Sequence, residues 1–157
     1  MGMRACLRIW VLLASLVAHL FALPATARAS ETAAWEVLRQ GGIVLFRHAN
    51  APGVGDPVGM RLGDCSSQRN LDASGRSQAI RIGEALRANG VAVGAVLTSE
   101  WCRTTETAEL AFPDRVKAEP IFNSFFADRS TAGEQTEAAR RYLLRWSGPA
   151  ALVVSTH

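Results

Sequence analysis

The sequence predicts an α/β fold in which a mostly parallel sheet is covered by helices on both faces. Short apolar runs of the kind that form buried strands alternate along the chain with segments whose apolar residues recur at helical spacing. The helical segments are long enough to cross over between parallel strands. A chain of 157 residues is sufficient for one domain of this kind and short for two.

The helices are predicted from apolar spacing and from residues that start or stop a helix. Gly41-Gly42 closes the first, and Asp72 is a candidate N-cap for the second, which Asn89-Gly90 ends. Pro113 stops the third. The fourth is amphipathic. The predicted ranges are 31–40, 72–89, 101–112 and 134–146.

Three continuous apolar runs are predicted to be buried strands. A long segment between the first strand and the second helix is rich in Gly, Pro, Asp and Ser and is predicted to be a loop. The predicted strands cover residues 43–46, 93–98 and 150–154, the loop covers 49–71, and residues 116–127 are irregular with one short strand.

Basic side chains follow the carboxyl ends of all three predicted strands. Arg47 and His48 end the first strand, the second leads through Ser99 to Arg103, and the third ends at His157. Ligands of parallel α/β sheets bind beyond this edge. We therefore expect two imidazoles and two guanidiniums to meet there.

The N-terminal 29 residues have the pattern of a cleaved signal peptide. Arg4 and Arg8 precede an apolar run over residues 9–23, and Ala27-Arg28-Ala29 has the small-x-small form of a cleavage site. The run is short of the roughly 20 residues that a membrane span needs, although an uncleaved anchor is the alternative. We expect a periplasmic or secreted domain over residues 30–157, without a membrane span.

Removing this segment changes the charge balance. Without Arg4, Arg8 and Arg28, the 17 Lys and Arg residues fall to 14, against 14 acidic residues. The basic pI is therefore no sign of nucleic-acid binding. Cys65 and Cys102 remain, and an even pair in an exported chain predicts a disulfide, with two free buried thiols as the alternative.

Phosphoryl transfer is the chemistry that two histidines and two arginines suit best. It needs positive charge around the transferred group and a nucleophile in line with the leaving oxygen. Arginine binds phosphate with two hydrogen bonds and stays charged. A neutral imidazole can attack phosphorus, while a second imidazole can be protonated beside the phosphate dianion.

Four motifs resemble those of the histidine phosphatase (phosphoglycerate mutase-like) superfamily, in the order and at the element boundaries of that family. The resemblance covers nearly all of residues 42–157. The motifs are Phe46-Arg47-His48-Ala49, Leu71-Asp72-x-x-Gly75-x-x-Gln78-Ala79, Ser99-x-x-x-Arg103-x-x-x-Thr107-Ala108, and Val153-Val154-Ser155-Thr156-His157.

The resemblance implies a role for each matching residue. His48 would be the nucleophile that forms phosphohistidine, Arg47 and Arg103 would bind the phosphoryl oxygens, and His157 would stabilise the developing charge. Arg69, in the loop just before the capped helix, and Asn50, two residues past His48, are further candidates for substrate binding. A solvated surface arginine is the alternative for Arg69. The implied activity is a metal-independent phosphohydrolase without a cofactor, acting on a small phosphorylated substrate or a phosphoprotein.

The sequence departs from the family pattern at several positions. Ala49 replaces the usual Gly, and Ala51 and Val54 argue against a mutase. Residues 121–126, where many members carry a Glu proton donor, contain no acid, and Asp128 and Glu134 are the nearest acidic residues. Without an acid, anhydrides, aryl phosphates and phosphohistidine are the feasible substrates. We also expect the domain to continue beyond His157.

Other chemistries fit less well. Neither cysteine begins a Cys-x₅-Arg, and the chain has no P-loop and no Cys-x-x-Cys. A zinc site from His48, His157, Cys65 and Cys102 would leave the arginines unexplained. A non-enzymatic phosphate-binding module is the main alternative.

Three tryptophans and two phenylalanines are assigned by position. Trp35 and Trp146 are expected to face the core from helices. Trp101, Phe125 and Phe126 are candidates for an apolar wall of the pocket.

Overall fold

The computed structural model describes residues 25–157, with side chains from residue 30 onward. The chain divides into two compact units, residues 1–34 and 35–157. Described residues 25–34 of the first unit begin a helix, and the remainder of this section concerns the second unit. Most of the predicted signal peptide lies outside the described residues. No helix of the described part is long and apolar enough to cross a membrane.

The described residues form four α-helices, close to the predicted ranges. The first begins earlier than predicted, because three of the six residues over 25–30 are alanine, a strong helix former. The third starts one residue later, with Trp101 as its N-cap, and the fourth ends at Leu144 rather than at Trp146. The helices are α1 (Ala25–Arg39), α2 (Ala73–Ala88), α3 (Cys102–Ala111) and α4 (Ala132–Leu144).

The described strands form one parallel sheet, which confirms the predicted fold class. The order across the sheet is β1-β4-β2-β3, so the strand that leads to His157 lies between the other two predicted strands. The strands are β1 (Ile43–Arg47), β2 (Val93–Thr98), β3 (Val116–Ala118) and β4 (Ala151–Thr156).

Helices pack on both faces of the sheet. Val96 and Val153 point to the face covered by α2, α3 and the end of α1, where Trp35 joins the core as predicted. Their neighbours along the strands, Leu97 and Val154, point to the opposite face, which α4 covers. This division follows from the alternation of side chains along a strand.

The first strand is less buried than its apolar sequence predicts. Among the described strands, β1 pairs with β4 alone and lies at the edge of the sheet. Leu45 is therefore 47% exposed, although Val44 and Phe46 pack against the core. An uninterrupted apolar run does not distinguish a central strand from an edge strand.

Candidate active site

Parallel pairing brings the two histidines together at the carboxyl edge of the sheet. Arg47 on β1 is in register with Thr156 on β4, and the His48 backbone N–H donates to the Thr156 carbonyl at 2.9 Å. The ring centroids of His48 and His157 are 5.7 Å apart. The expected meeting of the two imidazoles is thus observed.

His48 is held as a neutral ring with one free nitrogen. Its side chain is buried, and Nδ1 lies 2.7 Å from the Ala49 carbonyl oxygen, which can only accept a hydrogen bond. The proton therefore sits on Nδ1, and Nε2 carries the lone pair. Burial, which a hydrogen bond to Ala49 opposes, together with the charges of Arg103, Arg47 and Arg69, lowers the pKa of His48 to about 4.

Motif residues on two helices fix the backbone that follows His48. The Ala49 N–H donates to Thr107 Oγ1 at 3.0 Å, and the Asn50 N–H donates to Gln78 Oε1 at 3.0 Å. A Cβ on Gly75 would lie 2.1 Å from the Asn50 carbonyl oxygen, so only glycine permits this approach of α2. Gly75, Gln78 and Thr107 belong to the motifs that resemble the family, and in the structure they hold the backbone that follows His48.

Asp72 caps α2 as predicted and also restrains Asn50. One carboxylate oxygen accepts the Gly75 N–H at 2.6 Å, and the other accepts Asn50 Nδ2 at 2.8 Å. The Asn50 amide is therefore engaged at the start of α2. Its contact with a substrate stays a prediction.

His157 is oriented by a chain of hydroxyl groups. Its Nε2 lies 2.9 Å from Ser99 Oγ, which lies 2.6 Å from Thr104 Oγ1, and Thr104 in turn donates to the Trp101 carbonyl at 2.7 Å. Arg103 Nη2 lies 3.4 Å from His157 Nδ1. Because Arg103 can only donate, Nδ1 is the acceptor and Nε2 carries the proton.

His157 is neutral before any anion binds, and its protonation beside a phosphate dianion stays a prediction. Burial first, and then the charges of Arg103 and His48, lower the pKa of His157 to about 3, although Asp56 acts in the opposite direction. A phosphoryl dianion next to the ring would raise the pKa again.

Three arginines surround these rings. Arg103 is buried on the first turn of α3, and Arg69 is half-buried with Nε donating to the Gly55 carbonyl at 2.7 Å and Nη1 donating to the Ala51 carbonyl. Arg47 is exposed, and its charge acts on both histidines. The structure therefore brings together the four predicted catalytic residues and Arg69.

Sequence reasoning missed the carboxylate of Asp56, which lies among these cations. Its Oδ1 accepts Arg103 Nη1 at 2.7 Å, and its Oδ2 accepts the indole Nε1 of Trp101 at 3.0 Å. The residue is in the long loop, where no periodicity points to an inward side chain. The neighbouring Gly55 was the available sequence signal for a tight turn, and the structure gives it a φ of +69°.

A disulfide fastens this loop to the start of α3, as predicted. Cys65 and Cys102 are bonded with an S–S distance of 2.05 Å, and the Cys102 N–H donates to Gln68 Oε1 at 2.9 Å. Closing a loop of this size stabilises the fold by roughly 4 kcal/mol on the chain-entropy model. The bond also removes both thiolates that the zinc hypothesis required.

The aromatic and acidic residues named in the sequence analysis lie in different parts of the structure. Trp101 contacts His157 edge-on with ring centroids 5.1 Å apart, which fits a pocket wall. Phe125 lines a groove beside Leu45 and α4. Trp146 packs in the core from just beyond α4. Asp128 and Glu134 are exposed.

The arrangement is suited to an anionic tetrahedral group. A nucleophilic imidazole nitrogen, a second imidazole and three guanidiniums converge at one sheet edge. In the described residues, Arg103 Nε is buried without a hydrogen-bond partner, so it can donate to an oxygen of a bound ligand. The donor set matches the charge of a phosphoryl group.

No protein-family model and no curated protein matches the chain. Solved structures do resemble it. An Escherichia coli protein provisionally assigned as an alpha-ribazole-5'-P phosphatase has a TM-score of 0.54, with 19% identity over 73% of this chain and 72% of that one. Provisionally assigned phosphohistidine phosphatases SixA from Agrobacterium tumefaciens and Nakamurella multipartitia have TM-scores of 0.52 and 0.51 and identities of 18% and 23%.

Each SixA match covers 73% of this chain, and these matches span 67% and 58% of the two SixA chains. At these identities the similarity establishes the fold. It agrees with the fold that the four sequence motifs imply. The chain therefore has the α/β fold of these phosphatase structures, with a parallel sheet between helices.

Proposed function

We propose that this protein is a phosphohydrolase that acts through a phosphohistidine intermediate on His48. The observation that carries the proposal is the state of the His48 ring, in which Nδ1–H is bound to the Ala49 carbonyl and Nε2 is free. The low pKa of His48, about 4, keeps this nitrogen unprotonated at neutral pH, so the nucleophile needs no separate base.

The reaction proceeds in two displacements at phosphorus. In the first, the Nε2 lone pair forms an N–P bond while the P–O bond to the leaving group breaks and its electron pair stays on the leaving oxygen. In the second, water attacks phosphorus, the N–P bond breaks, and its electron pair returns to Nε2 as the attacking water releases a proton to the solvent. Arg47, Arg69 and Arg103 bind the phosphoryl oxygens, and His157 stabilises the charge that develops on them.

The surroundings of the site favour substrates with good leaving groups. Asp56 is the carboxylate in contact with Arg103, and although burial alone would raise its pKa, hydrogen bonds from Arg103, Arg69 and Trp101 hold that pKa below its usual value. Asp56 is therefore ionised and does not protonate a leaving oxygen. Phosphoanhydrides, aryl phosphates and phosphohistidine need little protonation, and the SixA resemblance is consistent with the last.

The guanidiniums supply the positive charge that a metal ion provides in other phosphatases, so we propose metal-independent catalysis. Activity should persist in the presence of a chelator. Export is likewise a proposal; the Cys65–Cys102 disulfide supports it because such bonds persist in oxidising compartments.

Hydrolysis of an aryl phosphate tests the proposal, because its leaving group needs no acid. The purified, disulfide-bonded protein is compared with His48→Ala, and vanadate binding is measured on both. We expect turnover by the parent and loss of nearly all activity in the variant. Vanadate binding without turnover in the parent would instead identify an anion-binding module of the same fold. A parent that neither binds vanadate nor turns over would contradict both.

A further inference from the structure

Asp56 is surrounded by three hydrogen-bond donors from two different parts of the site. Arg103 Nη1 donates to Oδ1 at 2.7 Å, the Arg69 backbone N–H donates to the same oxygen at 3.1 Å, and Trp101 Nε1 donates to Oδ2 at 3.0 Å. An ionised carboxylate only accepts hydrogen bonds and satisfies all three donors. An asparagine would turn its amide nitrogen toward one of them.

The ion pair with Arg103 is shielded from water. The side chains of Arg103 and Asp56 are 4% and 14% exposed. A buried guanidinium is costly without a counter-charge, so Asp56 offsets the cost of burying Arg103. Surface ion pairs of this chain, such as Arg61 with Asp64, have no such burial.

The pairing also determines which guanidinium nitrogens remain for a ligand. Asp56 takes Nη1, Nη2 lies 3.4 Å from His157 Nδ1, and Nε has no partner. Nε and Nη2 share one edge of the planar fork. Bidentate phosphate recognition uses such an edge, and a phosphoryl oxygen there would satisfy the buried Nε.

The same carboxylate restrains the wall beside His157. Trp101 donates to Asp56 through its indole nitrogen while its ring lies edge-on to His157 at 5.1 Å. One side chain therefore fixes two neighbours of the second histidine. Trp101 and Arg103 both lie at the start of α3. Through Asp56 they are linked to Arg69 in the loop, whose backbone N–H donates to the same carboxylate.

We propose that Asp56 is a positioning residue, which holds Arg103 and Trp101 against His157 so that the Nε–Nη2 edge of Arg103 faces the phosphoryl group. This inference rests on the proposed function, since it assigns the orientation of an arginine in that same site. Asp56 acts through Arg103 and does not itself contact the phosphoryl group.

The test compares Asp56→Ala with Asp64→Ala, a matched control. Asp64 is in the same loop and also binds an arginine, with Oδ2 2.5 Å from Arg61 Nη2. For Asp56→Ala we expect kcat/KM for an aryl phosphate to fall about 100-fold and vanadate Kd to rise at least about tenfold. Asp64→Ala should stay within about threefold of the parent in both measurements.

Formate separates positioning from general loss of structure. Added formate should restore Asp56→Ala at least about tenfold, because it returns an acceptor-only anion to the vacated space, and should not restore Arg103→Ala. If Asp56→Ala does not fold, Asp56→Asn is measured instead. It keeps the shape, and we expect the same direction of change, because one donor then meets an amide nitrogen.

Unchanged vanadate binding in the Asp56 variant would overturn the proposal, because Asp56 would then not orient Arg103 toward the anion. Tighter binding would overturn it as well, because the carboxylate would then compete with the anion. Failure of formate to rescue a folded Asp56→Ala would overturn it as well. A parent that binds vanadate but does not turn over would refute the phosphatase while leaving the effect of Asp56 on vanadate affinity as a valid test.

Discussion

The ends of β1 and β4 each present a histidine to the same site, yet they hold it by different means. At the end of β1, the His48 ring is fixed by the carbonyl of its own neighbour, and the backbone that follows is fixed by Thr107 and Gln78. At the end of β4, His157 is held through the Ser99 hydroxyl and the Arg103 guanidinium.

This difference assigns different tasks to the two rings. His48 has its proton on Nδ1 and leaves Nε2 free for attack, whereas both nitrogens of His157 contact other side chains. A nucleophile needs an unshared lone pair, and a group that stabilises charge needs a fixed orientation. The comparison therefore predicts covalent chemistry on one ring and electrostatic assistance from the other.

The largest expected effect separates these tasks directly. His48→Asn should lower the kcat for an aryl phosphate by about 10⁴-fold or more, because no phosphoenzyme can form. His157→Asn should lower it by about 10²-fold, the typical loss of one stabilising donor. Steady-state and burst kinetics of both variants measure the difference. Equal losses with no burst in either would remove the distinction between the rings.

Gly75→Ala breaks the support of the His48 end. The new Cβ would meet the Asn50 carbonyl oxygen at 2.1 Å, so either α2 or the backbone after His48 must shift. We expect the free energy of unfolding to fall by about 2–3 kcal/mol, measured by urea titration. Gly133→Ala in α4 is the control, since nothing lies within 4 Å of its Cβ, and it should be neutral or stabilising. Equal behaviour of both variants would contradict the close approach.

Ser99→Ala removes the support of the His157 end. Without the hydroxyl, His157 Nε2 loses its acceptor, and we expect kcat to fall about tenfold, equivalent to ~1.4 kcal/mol. Thr98→Val is the control on the adjacent residue, because Thr98 Oγ1 is buried without a hydrogen-bond partner in the described structure. The valine variant should keep its activity and gain stability. A Ser99 variant as active as the parent would show that the hydroxyl chain does not orient the ring.

The smallest expected effect is the dependence of stability on pH. The pKa of His48 is about 4 in the folded protein, below the ordinary value of 6.5, so acid protonates the unfolded chain first. Stability is therefore lost as the pH falls from about 6.5 towards 4. Between about pH 7 and 5.5 the parent should lose ~1 kcal/mol more than His48→Asn. Parallel curves of stability against pH for the two proteins would mean that the pKa of His48 is not lowered in the folded protein.

The same two ends show what the sequence can predict. The predicted strands, the helix caps and the spacing from Ser99 to Thr107 are enough to place both histidines and two arginines at the carboxyl edge of the sheet. Asp56 could not be placed this way, because a loop has no period that distinguishes inward from outward side chains. The edge position of β1 was missed for a related reason, since strand pairing depends on the topology and not on the apolarity of one segment.

Trapping the intermediate tests the central proposal most directly. The protein is mixed with an aryl phosphate, quenched in base within the first turnover, and the phosphoryl group is located by tandem mass spectrometry and by phosphorus NMR. The account predicts one phosphoryl group per chain, on Nε2 of His48. A phosphoryl group on His157, or product release without any phosphoenzyme, would contradict it.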